Sequence, residues 1–184
     1  MRKIFLHIVL ATMVALTSCE DDDQFRLPPI DYSLYSAPTW NELGTTPASG
    51  LPSEQISRWQ AANPEFPLEE SSSGLLYHII EEGSDVKPSS TDVILSYYRG
   101  TLVDGTRFDG TGTRPTEFAV NGVVQGFSEG LQLLGEGGRA IVLIRPDLGY
   151  GANGRNNTPI TGSSVIIFQM TLEDVDARNN PIGG

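Results

Sequence analysis

Apolar positions follow two regimes along this chain. Between Ile4 and Leu16 they run almost unbroken, and from Gly74 onward they come in short stretches separated by Gly, Asp and Asn. In the second regime Leu75, Tyr77 and Ile79 alternate with Leu76, His78 and Ile80, which predicts a strand covered on both faces and ended by Glu81-Glu82-Gly83. Val93 to Tyr98 predicts another strand, running on to Val103, and Asp104-Gly105 marks a hairpin turn before a return at Arg107-Phe108-Asp109. Arg139 to Arg145 predicts a strand with Ala140, Val142 and Ile144 on one face. Val165 to Val175 predicts the last, with Ile166, Phe168, Met170 and Leu172 turned inward. Helical spacing appears at Phe127, Leu131 and Leu134, with Gly135 and Gly137-Gly138 to end the helix. Pro52 to Ala62 predicts a second short helix, with Ile56, Trp59 and Gln60 on one face and Asn63-Pro64 as its stop. From Gly74 on, these elements predict an α+β fold: an antiparallel β-sheet wrapped around one short α-helix.

The first apolar run is shorter than the roughly 20 residues that span a bilayer as a helix. It follows Arg2 and Lys3, the pattern of a signal peptide. Leu16-Thr17-Ser18-Cys19 resembles a bacterial lipobox, which implies cleavage after Ser18 and acylation of Cys19. Cys19 is the single cysteine, so no disulfide forms within one chain. Glu20-Asp21-Asp22-Asp23 then reads either as a solvated spacer or, by resemblance, as the acidic export signal of surface lipoproteins in the Bacteroidetes. Residues 24–50 are rich in Pro, Ser, Thr and Gly and read as a tether or loosely packed arm, with Phe25, Tyr32, Tyr35 and Trp40 as candidates to dock. The expected organisation is a lipoprotein signal peptide at 1–18 and an acidic, proline-containing tether with a short helix at 19–70. A folded domain at 71–176, expected to fold alone, and a tail at 177–184 complete it.

Composition narrows the chemistry. Gly 20 and Pro 12 among 184 residues favour strands and turns over a helical bundle, and 39% hydrophobic residues suffice for a packed core. A net charge of -11 repels phosphate backbones, which argues against nucleic acid as a partner. Gly110-Thr111-Gly112 and Gly135-Glu136-Gly137-Gly138 lack the spacing of a dinucleotide site and the lysine of a P-loop, so they read as turns. With His7 in the signal peptide, His78 is the one remaining histidine; no metal set and no Ser-His-Asp order can be assembled around it. What remains is a series of aromatic and aliphatic residues beside glycine-anchored turns.

In that series, Tyr98-Arg-Gly100-Thr-Leu102 and Asp104-Gly105-Thr-Arg-Phe108-Asp109 are followed by Phe118 and by Val123-Val124-Gln-Gly126-Phe127-Ser-Glu129-Gly130-Leu131. Gly137-Gly-Arg139-Ala140, Ile144-Arg-Pro146-Asp147-Leu-Gly-Tyr150-Gly151, Ile160 and Phe168 complete it. From about Gly74 to Leu172 this order resembles the FKBP-type peptidyl-prolyl cis-trans isomerase family. The resemblance implies a pocket walled by Tyr98, Phe108, Phe118 and Phe168, edged by Val123 and Val124 and floored by Phe127. Asp109 and Tyr150 would add polar groups, and Ile160 would close over the top from a mobile loop. It assigns Tyr98, Phe108, Asp109 and Tyr150 to catalysis and the others to substrate binding. It implies isomerisation of X-Pro bonds in unfolded or exported polypeptides without metal or cofactor, and macrolide inhibitors as ligands of the same pocket. The chain departs from the family pattern at Phe127, where the family often has Trp, and in the polar loop Asn153 to Thr158, which lacks the usual proline. The same pocket would serve a prolyl-peptide-binding chaperone with little turnover, and the fold would serve a scaffold surface lipoprotein binding through residues 24–70. With aromatic rather than charged walls, a hydrophobic residue before the proline is the expected preference. The resulting location is the cell envelope, at the outer membrane, on a lipid anchor.

Overall fold

The computed structural model describes residue 30 and residues 32–175. The signal peptide, Cys19, the acidic run after it, Phe25 and the 177–184 tail lie outside the described residues. Among the described residues, helix α1 spans Pro52–Ala62, followed by strands β1 (Glu69–Glu70), β2 (Leu76–Glu81), β3 (Val93–Leu102), β4 (Arg107–Gly110) and β5 (Thr116–Ala119). Helix α2 (Gln125–Leu133), β6 (Arg139–Ile144) and β7 (Ile166–Val175) complete the order. All strand pairs are antiparallel, in the order β1-β2-β6-β7-β3-β4. β5 shares an edge of β3 with β4: it pairs Val93–Ser96, while β4 pairs Arg99–Thr101. The predicted turn at Asp104-Gly105 forms, with Gly105 at φ 83°, Gly105 N–H donating to Leu102 O at 3.0 Å, and Thr106 N–H donating to the Asp104 carboxylate at 2.9 Å. Four-residue β5 and two-residue β1 are too short to leave a period in the sequence.

Alternation along the long strands sorts side chains into two cores. Ala140, Val142, Ile144, Ile166, Phe168, Met170 and Leu172 meet Phe127, Leu131 and Leu134 from α2 and its end. The helix sits very close to the sheet because Gly126 and Gly130 face it. A Cβ at Gly126 would lie 2.8 Å from Ile144, and one at Gly130 would lie 2.9 Å from Val142. Both glycines have poor helix propensity, and this close approach is what they supply.

The opposite face carries Val103, Ile141, Leu143, Val165 and Ile167, all buried against Trp59 of α1. Here the structure differs from the reading of residues 19–70 as a tether. From Tyr35 to Glu70 the segment lies across the back of the sheet, with Leu43, Ala48, Ile56, Phe66 and Leu68 packed on that second core. Polar groups pin it. Gln55 is fully buried, donating to Gly50 O and Ser163 O and accepting from Val165 N–H. Asn63, also fully buried, exchanges hydrogen bonds with Gly44 and donates to Trp59 O at 2.8 Å, which closes α1 at its predicted stop. Gln169 of β7 accepts from Asn41 N–H and donates to Asn41 O. Tyr35 reaches Asp174 at 2.9 Å. A sheet apolar on both faces needs two covers, and the arm supplies the second. No helix of the described residues is long and apolar enough to cross a membrane.

Candidate functional site

On the α2 side the sheet opens into a cavity of about 250 Å³ lined by Tyr98, Asp109, Phe118, Gly122, Val123, Val124, Phe127, Tyr150, Arg155 and Phe168. Tyr98 points into it because its strand neighbours Arg99 and Thr101 point to the other face. Phe127 is carried by the first turn of α2 and forms the floor, its ring 4.8 Å from that of Phe168, 5.6 Å from Tyr98 and 5.6 Å from Phe118. Tyr98 stands edge-on to Phe118 at 5.4 Å. These T-shaped contacts are the arrangement that ring quadrupoles favour, and they fix the cage walls against one another.

A larger cavity, of about 300 Å³, lies on the opposite face between residues 41–45 and the β3–β4 hairpin. Its lining holds one aromatic ring, Trp59, and none of the ten residues expected to form the catalytic and substrate-binding site.

One side of the aromatic cage is polar. The Asp109 carboxylate accepts from Tyr98 O–H at 3.0 Å, from Gly110 N–H at 2.8 Å and from Arg155 Nη1 at 3.2 Å. Burial works to raise the Asp109 pKa. The hydrogen bonds from Gly110, Tyr98 and Arg155 outweigh it and hold the carboxyl below its ordinary value. The Tyr98 hydroxyl is pushed up to about 12 by burial and by its bond to Asp109, so it stays a proton donor throughout the physiological range. Arg155 Nη1 also donates to the Tyr150 hydroxyl at 3.3 Å, with the guanidinium 5.4 Å over the Tyr150 ring. The Tyr150 oxygen therefore accepts, and its own O–H has no acceptor among the described residues. It is free to donate into the cavity. With three donors committed to it, Asp109 organises this edge of the cage.

Eight of the ten residues singled out in the sequence are brought to one cavity wall. Phe108 stands behind it, edge-on to Phe168 at 5.5 Å, over Gly100, where a Cβ would come within 2.8 Å of both rings. Ile160 sits apart from the cavity mouth, 5% exposed in the α2-side core and beside Tyr150, Arg145 and Ser164 beneath the loop. The residue that sequence reasoning missed is Arg155. Its loop is held in shape by Arg155 N–H to Ile160 O at 3.1 Å and Thr158 Oγ1 to Arg155 O at 2.7 Å. The signal available was one cation within an Asn-Gly loop beside the tyrosine of the resemblance.

This fold and this cage define an FKBP-type domain. Residues 84–173 match the family model for FKBP-type peptidyl-prolyl cis-trans isomerase, and the domain they form belongs to that family. The chain is similar to the FKBP-type peptidyl-prolyl cis-trans isomerase FkpA of Escherichia coli K12, 38% identical over 107 residues, which are 57% of this chain and 39% of that protein. It is similar also to the outer membrane protein MIP of Legionella longbeachae, 39% identical over 56% of this chain and 45% of that one. Among solved structures, Escherichia coli FkpA superposes with a TM-score of 0.60 at 32% identity, covering 67% of this chain and 58% of that one. A peptidyl-prolyl cis-trans isomerase from Pseudomonas syringae superposes with a TM-score of 0.60 at 26% identity, covering 68% and 90%. The chain spans about two fifths of the length of the FkpA and MIP sequences it matches.

Proposed function

We propose that this protein catalyses cis-trans isomerisation of X-Pro bonds in exported polypeptides, and that it does so non-covalently in the aromatic cage. The observation that carries the reading is the cage itself. Four aromatic rings enclose a space of about 250 Å³, next to one hydroxyl free to donate. Rotation about the X-Pro bond meets a barrier of about 18–20 kcal/mol because amide resonance is lost in the twisted state. A water-poor aromatic site does not solvate the polar planar amide as water does, which favours the twisted form. Tyr150 O–H is positioned to hold a substrate carbonyl while the prolyl ring rests on Phe127. Asp109 keeps Tyr98 and Arg155 in place around that pose. The chemistry asks for no bound cofactor, and macrolide-type ligands would compete for the same floor.

Lipid attachment at Cys19 and residence in the cell envelope belong to the same reading. They rest on the Leu16-Thr17-Ser18-Cys19 motif and on a relative that is named an outer membrane protein.

The test is a proline-isomerisation time course by NMR exchange on the full chain with a Leu-Pro peptide. Acceleration over buffer is expected. Phe108→Ala and Tyr150→Ala should lower it by about tenfold, equivalent to about 1.4 kcal/mol of transition-state stabilisation. A folded protein with no acceleration leaves only peptide binding, and full activity in both variants moves the site elsewhere.

A further inference from the structure

Asp109 and Arg155 are the charged residues lining the cage, and their states differ. Asp109 is engaged by three donors. Arg155 commits Nη1 to Asp109 and Tyr150, whereas Nε and Nη2 have no acceptor among the described residues. Its side chain is 42% exposed, so this unused edge of the guanidinium reaches solvent at the cavity mouth. Two bonds from the group itself and a loop closed by Arg155 N–H to Ile160 O hold that edge in one orientation. A planar N–H edge, fixed and half-desolvated, is suited to receive a carboxylate side-on.

Resting on the isomerase reading, we infer that Arg155 is a specificity-determining residue that selects prolyl peptides carrying Asp or Glu next to the proline. With the prolyl ring on the Phe127 floor, the chain on either side of the proline leaves the cavity past its polar edge, which Arg155 lines. An aliphatic flank still finds the ring edges. An acidic flank finds the ring edges and the guanidinium edge, and a basic flank finds only donors on that edge and no acceptor. Without this cation, a protein of net charge -11 would disfavour acidic peptides generally.

The experiment compares Glu-Pro, Leu-Pro and Lys-Pro peptides, and the matching Pro-Glu and Pro-Lys pair, on the full chain. Isomerisation rate by NMR exchange and affinity by chemical-shift titration are measured separately. In wild type, Glu beside proline should exceed Lys by about threefold in low salt, with the ratio shrinking toward one in concentrated salt, as expected for an exposed charge contact. Arg155→Gln should bring the Glu-to-Lys ratio to one or below, and Arg155→Lys should keep its direction. A wild-type ratio of one overturns the inference, as does an Arg155→Gln variant that slows all peptides equally with the ratio intact. If no peptide is turned over but affinity orders Glu above Lys and Arg155→Gln abolishes that order, the catalytic reading falls and the selectivity stands. If no peptide binds, both fall.

Discussion

Asp109 links the cage to its loop through bonds that need its negative charge. Its carboxyl is held below the ordinary value in the folded chain, against about 3.9 for an unfolded aspartate. A depressed folded pKa contributes stability above the unfolded value and loses it as pH falls through the folded one. Wild type should therefore melt above Asp109→Asn at neutral pH, with the gap closing as pH drops below about 4. Thermal melts of the two proteins at a series of pH values check this, and a gap that stays constant to pH 2 contradicts it. At this scale the sequence was informative about rings and poor about charges. Tyr98 and Phe127 sit in glycine-marked blocks, and Phe118 and Phe168 stand singly, in an order visible in the chain. Arg155 sits in a loop of polar residues, and what makes it functional is a 3.2 Å approach to Asp109, distant in sequence, which no local pattern encodes.

Among the elements, α1 and the extended arm around it have the largest effect on the picture. The spacing of Ile56 and Trp59 was enough to predict the helix, and the two-faced alternation of β2 was enough to predict a second cover. Nothing in either pattern says that one covers the other, because long-range packing leaves no periodic trace. The consequence is measurable. A chain starting near residue 71 would expose Ile141, Leu143, Val165 and Ile167 to water, so it should lose the cooperative urea transition that the full chain shows. Trp59→Ala in the full chain should cost about 3–5 kcal/mol in the same measurement, the range for removing a fully buried large aromatic side chain. Cooperative unfolding of the short fragment at the full-chain midpoint would show the arm to be an ornament.

For the molecule as a whole, the proposed lipid anchor makes a prediction independent of the cage. Acyl chains hold a protein to a bilayer through buried methylenes, at about 0.8 kcal/mol each. Cys19→Ala removes the atom that would carry them. In cell fractionation the variant should leave the detergent-extracted membrane fraction, and unchanged partition would refute lipidation at Cys19. Sheet topology bears on a different question, that of timing. β7 is the last of the described strands to be synthesised, yet it lies between β6 and β3 and contributes to both cores. Until residues 166–175 have emerged, β3 and β6 have no partner on that edge, and most of their pairing is long-range. A nascent chain of this design cannot lock early. The β1-β2-β6 half of the sheet and the half built on β3 are joined only when β7 enters between them, so the closed sheet is the product of the whole described chain and of no shorter length of it.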